Sequence, residues 1–168
     1  STNDADGWLL TSYYGECLPN GTLSVLGNRD NVVKTSLSPT GHVFVEELER
    51  ALAASPAIND VCIVAKPNSK TLGMVIYPRP MELFDAGTRL KKEYRLGQID
   101  NYPWCFDYMH EKVVEAARQS GQYQWLAQLP SDRIRIKLVS EPFTTKNSLA
   151  YADGTNNRDG AQNILSIR

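Results

Sequence analysis

Two short apolar runs constrain this chain more than any other feature. They are Val61-Cys62-Ile63-Val64-Ala65 and Leu72-Gly73-Met74-Val75-Ile76-Tyr77-Pro78. Each is continuous, bounded by turn residues and rich in branched side chains, which predicts strands buried on both faces. The link between them, through Lys66-Pro67-Asn68-Ser69-Lys70, is a turn too short for a crossover, so the strands pair antiparallel. A hairpin buried on both faces needs helices to cover it. The flanking sequence supplies them.

Residues 43–54 read as a helix. Phe44, Leu48, Ala51 and Leu52 repeat at helical spacing, with Glu46, Glu47, Glu49 and Arg50 on the other side. Leu83, Phe84, Leu90 and Tyr94 predict a second helix over 81–95, although Gly87 weakens it. Phe106, Met109, Val113 and Ala116 predict a third over about 105–119. Ile134, Ile136 and Leu138 alternate with Arg133, Arg135 and Lys137, the pattern of a half-buried strand with a basic outer face.

Upstream, Trp8-Leu9-Leu10 and Leu23-Ser24-Val25-Leu26 flank the turn Pro19-Asn20-Gly21 and predict a hairpin. Gly27-Asn28-Arg29-Asp30 breaks it, and Val32-Val33 begins another short strand. The fold class is therefore α+β: a small mixed sheet with packed helices, preceded by a hairpin.

Composition excludes several functions. At 168 residues, 42% hydrophobic and with net charge -1, the chain has the make-up of an ordinary globular domain. That charge offers no attraction for nucleic acid. No apolar run is long enough for a membrane span. Cys17, Cys62 and Cys105 are too scattered for a disulfide framework, which fits a reducing, cytoplasmic setting. With only His42 and His110 and no close cysteine pair, no metal site is expected. His110 reads as a half-exposed helix position and Cys105 as a buried, inert thiol. Tyr102, Trp104, Phe106 and Tyr108 form an aromatic cluster, either a stacking platform or a core plug.

Five segments together carry a family resemblance. Asp6-Gly7-Trp8-Leu9-Leu10-Thr11-Ser12-Tyr13-Tyr14-Gly15 and Asn20 to Lys34 resemble the crossover region of acyl-adenylate-forming ligases. There a large nucleotide-binding domain hands over to a small mobile one. Ile58 to Val64 and Leu72 to Pro78 resemble the central hairpin of the long-chain fatty acyl-CoA synthetases of that AMP-binding superfamily. Ser140 to Leu149 resembles the segment leading into their final motif.

The resemblance implies a division of the chain. Residues 1–29 would close the hairpin of a larger N-terminal nucleotide-binding domain and include the hinge. Residues 30–150 would form the mobile C-terminal domain, and 151–168 a polar tail. Asp30 would be the hinge pivot, with Arg29 and Gly27 beside it. Lys34 and His42 would face a ligand. An active parent would use ATP with magnesium and coenzyme A, whereas no cofactor is expected in this chain alone. The partner is then the N-terminal domain, with another protein as a further candidate. Peripheral membrane association of the parent is a further expectation.

Two departures bear on activity. The family's ribose-holding Asp position is Tyr13, and its catalytic lysine position is Thr155. A hydroxyl cannot supply the fixed positive charge that stabilises a reacting phosphate. The expected function is a mobile domain of an acyl-CoA synthetase-like ligase with a degenerate adenylation site. The alternative is a non-catalytic interaction or regulatory module derived from one. Three further expectations follow. The chain alone is not an enzyme and binds neither ATP nor AMP. Residues 1–26 pack poorly or are mobile, or else pair with a second copy through an exposed strand edge. Residues 150–163 are irregular and exposed, with Thr155 far from any pocket.

Overall fold

The computed structural model describes residues 11–166. Trp8, Leu9 and Leu10, expected in the first strand, lie outside that range. The hairpin is formed by β1 (Tyr13–Cys17) and β2 (Leu23–Asn28), which pair antiparallel around a turn closed by Gly21 N–H donating to Leu18 O at 2.9 Å. A single 3-10 turn, Arg29–Asn31, leads into β3 (Val32–Lys34). That strand pairs with β4 (His42–Phe44). The sequence reading began a helix at residue 43. Instead Val43 and Phe44 are held by β3, and α1 runs from Val45 to Ala53.

The central sheet has the order β5-β6-β7. β5 (Ile58–Val64) and β6 (Leu72–Pro78) are antiparallel. β7 (Ile134–Leu138) lies parallel to β6, with Leu72 opposite Ile134 and Ile76 opposite Leu138. A parallel neighbour requires a long crossover. It is made by α2 (Pro80–Leu90), α3 (Pro103–Gln119) and the short α4 (Gln124–Ala127). Proline opens both α2 and α3, where its missing N–H costs nothing.

α2 stops at Leu90 because Lys91 takes a left-handed backbone (φ 54°) and its N–H caps the last turn. The expected helix to 95 is thereby shortened. Tyr94 turns back into a chain of edge-to-face rings with Phe84, Tyr102 and Trp104, and Trp104 continues it to Tyr108. Phe106, expected on the buried face of α3, is exposed. Met109, Val113 and Ala116 are buried as expected, and Cys105 and Tyr108 join them in its place.

Alternation along the strands splits the core in two. Val61, Ile63, Met74, Ile76, Ile134 and Ile136 face α1 and α3, packing with Leu48, Leu52, Met109 and Val113. Cys62 and Val75 point the other way, against Leu149, Ala161 and Leu165. The last two belong to α5 (Arg158–Ser166). The expectation of an irregular, exposed segment to residue 163 is therefore corrected. Residues 151–157 are turns, but from Arg158 the chain is a helix that closes the second face of the sheet. Glycine makes this possible, because a Cβ on Gly160 would collide with the backbone of Ser148.

Candidate functional site

The hairpin, the 3-10 turn, α1, β5 and the 151–158 segment surround a cleft of about 780 Å³. Its walls include Tyr13, Asn31, Glu46, Glu49, Thr155 and Arg158. α1 contributes Glu46, Glu49, Arg50 and Ala53 to these walls. Val45, Leu48 and Leu52 fix its apolar stripe in the core. That stripe also carries Glu49, only 8% exposed, which the sequence reading placed on the solvent side.

A buried carboxylate must be paired and hydrogen-bonded. Glu49 is both. Arg158 Nη1 donates to its Oε1, and Arg158 Nη2 to its Oε2 at 3.2 Å. Oε1 also accepts the Ile63 N–H at 2.8 Å, and Oε2 accepts Asn156 Nδ2 at 3.0 Å. Asn156 Nδ2 further donates to Val61 O at 2.8 Å, and Arg158 Nη1 to Ile63 O at 3.2 Å. The pair thus ties α1, the edge of β5 and the start of α5 together. Cys62 sits beside it. Burial pushes its thiol up to about 12, with the neighbouring Glu49 charge adding to the effect.

One turn earlier on the helix, Glu46 faces the 3-10 turn. Its Oε2 accepts the Asn28 N–H at 2.8 Å and its Oε1 accepts Asn31 Nδ2 at 2.7 Å. Asn31 Oδ1 in turn accepts Arg158 Nε at 3.3 Å. Arg50 donates to Leu26 O at 2.9 Å, and Tyr14 meets Phe44 edge to face at 6.0 Å. The hairpin is therefore held to the α/β body mainly by charged side chains gripping its main chain. Its outward residues Leu23 and Val25 are 72% and 54% exposed.

The expected hinge residues lie along this seam. Gly27 is buried, and a Cβ there would stand 2.7 Å from Glu46 Oε2, so glycine is what lets that carboxylate approach. Arg29 and Asp30 are exposed on the 3-10 turn. The Arg29 N–H donates to Ser12 O at 2.6 Å, and the Asp30 N–H to Asn28 Oδ1 at 2.9 Å. Lys34 and His42 are exposed partners across β3 and β4, and neither lines the cleft.

Tyr13 and Thr155 do line it, so the expectation that Thr155 stands far from any pocket is wrong. The Ala150–Asn156 bridge and the Tyr151 N–H to Thr155 O bond at 2.8 Å fold residues 150–156 into a tight reverse turn. That turn brings Thr155 to the cleft rim. Its hydroxyl donates to Asp153 Oδ1 at 2.6 Å.

The sequence reading missed Glu46, Glu49, Asn31, Asn156 and Arg158. One signal was available. Glu49 falls in the helical stripe of Val45, Leu48 and Leu52, where an acid is stable only with a partner. Of the other residues singled out, Cys105 is buried and its thiol is pushed up to about 11 by burial. His110 is half-buried, with Nε2 enclosed and without a hydrogen-bond partner. In the basic strand face, Arg133 donates to Lys70 O at 3.3 Å, and Lys137 approaches Asp100 at 3.8 Å. Among the described residues no group of His, Cys, Asp and Glu is arranged to hold a metal, and no helix is long and apolar enough to cross a membrane.

Comparison with known proteins supports one lineage. No protein-family model matches the chain. It is 23% identical over 163 residues to long chain acyl-CoA synthetase 1 of Arabidopsis thaliana, covering 97% of this chain and 24% of the relative. It is 32% identical over 146 residues to long-chain-fatty-acid–CoA ligase 5 of Rattus norvegicus, covering 87% and 20%. The chain thus spans about a fifth to a quarter of these relatives. In fold it matches the A-PCP didomain of carboxylic acid reductase from Segniliparus rugosus, a structure in complex with AMP. The TM-score is 0.67 at 21% identity, over 96% of this chain and 20% of that one. The α+β layout agrees with that neighbour. By sequence and fold the chain is a C-terminal domain of the acyl-adenylate-forming, AMP-binding ligase superfamily, similar to its long-chain fatty acyl-CoA synthetases.

Proposed function

We propose that this chain is the mobile C-terminal domain of an AMP-forming acyl-CoA synthetase-like ligase whose adenylation positions have been replaced. The observation that carries this reading is the meeting of Tyr13 and Thr155 on one cleft. Two positions remote in sequence are brought together where the resemblance puts ribose binding and phosphate activation. Neither residue brings the charge that work requires.

The rest of the cleft supports the same reading. Glu46, Glu49, Asp60 and Asp159 line it, against the guanidiniums of Arg50 and Arg158. Arg158 is spent on Glu49, and Arg50 donates to Leu26 O. A lining with more carboxylates than cations repels a polyphosphate. The residues present therefore do not fit ATP with magnesium in the adenylating manner. An active parent would need ATP, magnesium and coenzyme A held by a further domain. The natural seat for that domain is the outward face of the hairpin, where Leu23 and Val25 are bare.

The same exposed face favours a second reading, an interaction module that docks on another protein through the hairpin. Free thiols at Cys17, Cys62 and Cys105 favour a reducing, cytoplasmic location for either. The deciding experiment is ATP–pyrophosphate exchange on the full-length protein with fatty acids of several lengths. Exchange no greater than the background is expected. Robust exchange would overturn the degenerate reading.

A further inference from the structure

The polar seam between hairpin and body is more than a set of separate contacts. Glu46 touches the hairpin side at the Asn28 N–H and the body side at Asn31. Asn31 uses its other atom on Arg158, the first residue of α5. Arg158 in turn is fixed by Glu49 and follows directly on the turn that carries Thr155. A continuous line of hydrogen bonds runs from the hairpin backbone to the Thr155 turn. Asn31 is its single middle link, donating at one end and accepting at the other.

We propose that Glu46, Asn31 and Arg158 form a latch that couples docking of the hairpin to the placement of the Thr155 turn. The inference rests on the reading of residues 1–29 and 30–150 as two bodies joined at the hinge, and it names what regulates their seam. Physically, the hairpin contributes little apolar area to the body, so its docking hangs on a few directional bonds. Such bonds release as a set when one is lost. A displacement of the 151–158 segment pulls Arg158 from Asn31. Asn31 then loses the orientation that steadies Glu46, and the Asn28 N–H loses its acceptor.

The test uses the exposed thiol of Cys17. Cys17 is exposed on β1, while Cys62 and Cys105 are fully buried. A nitroxide on Cys17 and a second on Lys146→Cys report the distance between hairpin and body by pulsed electron resonance. The doubly labelled chain without further substitution should give one narrow distribution. Asn31→Ala, which alters no hairpin residue, should broaden it about twofold, as should Glu46→Ala. The double variant Glu49→Ala/Arg158→Ala removes the far end of the line without stranding either charge, and it should broaden the distribution to the same degree. Near-ultraviolet circular dichroism identifies variants that remain folded, and Asn31→Ala is the mildest of them. An unchanged distribution in Asn31→Ala or in the double variant overturns the coupling. No nucleotide is present, so the outcome is independent of whether the full-length protein adenylates.

Discussion

Gly160 rests its bare Cα against the carbonyl of Ser148, leaving no room for a methyl group. The obstacle is backbone, which cannot rotate away. Gly160→Ala should therefore destabilise the domain although alanine is the better helix former. The expected loss is about 1–3 kcal/mol, the range for overpacking, read as a lower urea midpoint with an unchanged slope. A neutral or stabilising effect would mean that α5 does not pack as described.

Glu49 and Arg158 are both largely sheltered, with side-chain exposures of 11% and 23%. Removing one strands the other, which costs about 3–5 kcal/mol for a fully buried pair and less here because Arg158 keeps some water. Glu49→Ala and Arg158→Ala should each lower stability by about 2–3 kcal/mol on that scale, discounted for partial exposure. The double replacement should cost less than the sum of the two. A double-mutant cycle by chemical denaturation measures the difference, and strict additivity would contradict the pairing.

The three thiols should separate cleanly by reactivity. Cys17 is exposed, whereas burial raises Cys62 to about 12 and Cys105 to about 11 from an ordinary 9.0. At pH 8 a disulfide reagent should titrate one thiol quickly and the other two only on unfolding. A linkage follows. Above pH 9 the unfolded chain releases thiol protons that the folded chain retains, so stability is full below that point. It should then fall progressively as pH rises towards 11 and 12. Replacing Cys62 and Cys105 by alanine should flatten that alkaline slope, as measured by denaturation midpoints across the window.

Introducing charge at the cleft is the sharpest test of the proposed degenerate positions. In the full-length protein, Thr155→Lys alone and Tyr13→Asp alone should each leave pyrophosphate exchange at background. The double variant should raise it, since a fixed cation stabilises the transition state, by about a hundredfold or more, only when a ribose acceptor holds the nucleotide beside it. Activity from the lysine alone would show that Tyr13 still permits ribose binding.

The parts legible in the sequence are those with local signals. β5 and β6 were readable because continuous apolar runs between turns have few alternatives, and α3 because its period is sustained. β4 was not, since a three-residue strand exists only through its pairing with Val32–Lys34. α5 was hidden because its attachment is a close backbone approach at Gly160 and three apolar side chains, Ala161, Ile164 and Leu165, in a polar stretch. The positions of Tyr13 and Thr155 came from family resemblance, but their convergence needed the fold. Glu49 was misread as a solvent residue because its partner, Arg158, lies 109 residues further on. No window over the helix could disclose it.

The order of synthesis matters for a sheet built this way. Cys62 and Val75 form the second face of the sheet, yet the helix that covers them is made from residues 158–166. While the chain is still emerging from the ribosome, that face stays bare and Glu49 stays without its cation. Any nascent chain arrested before Arg158 therefore presents both a sticky sheet and an unpaired acid to the cell. Closure of the sheet's second face and pairing of Glu49 thus both wait on residues 158–166.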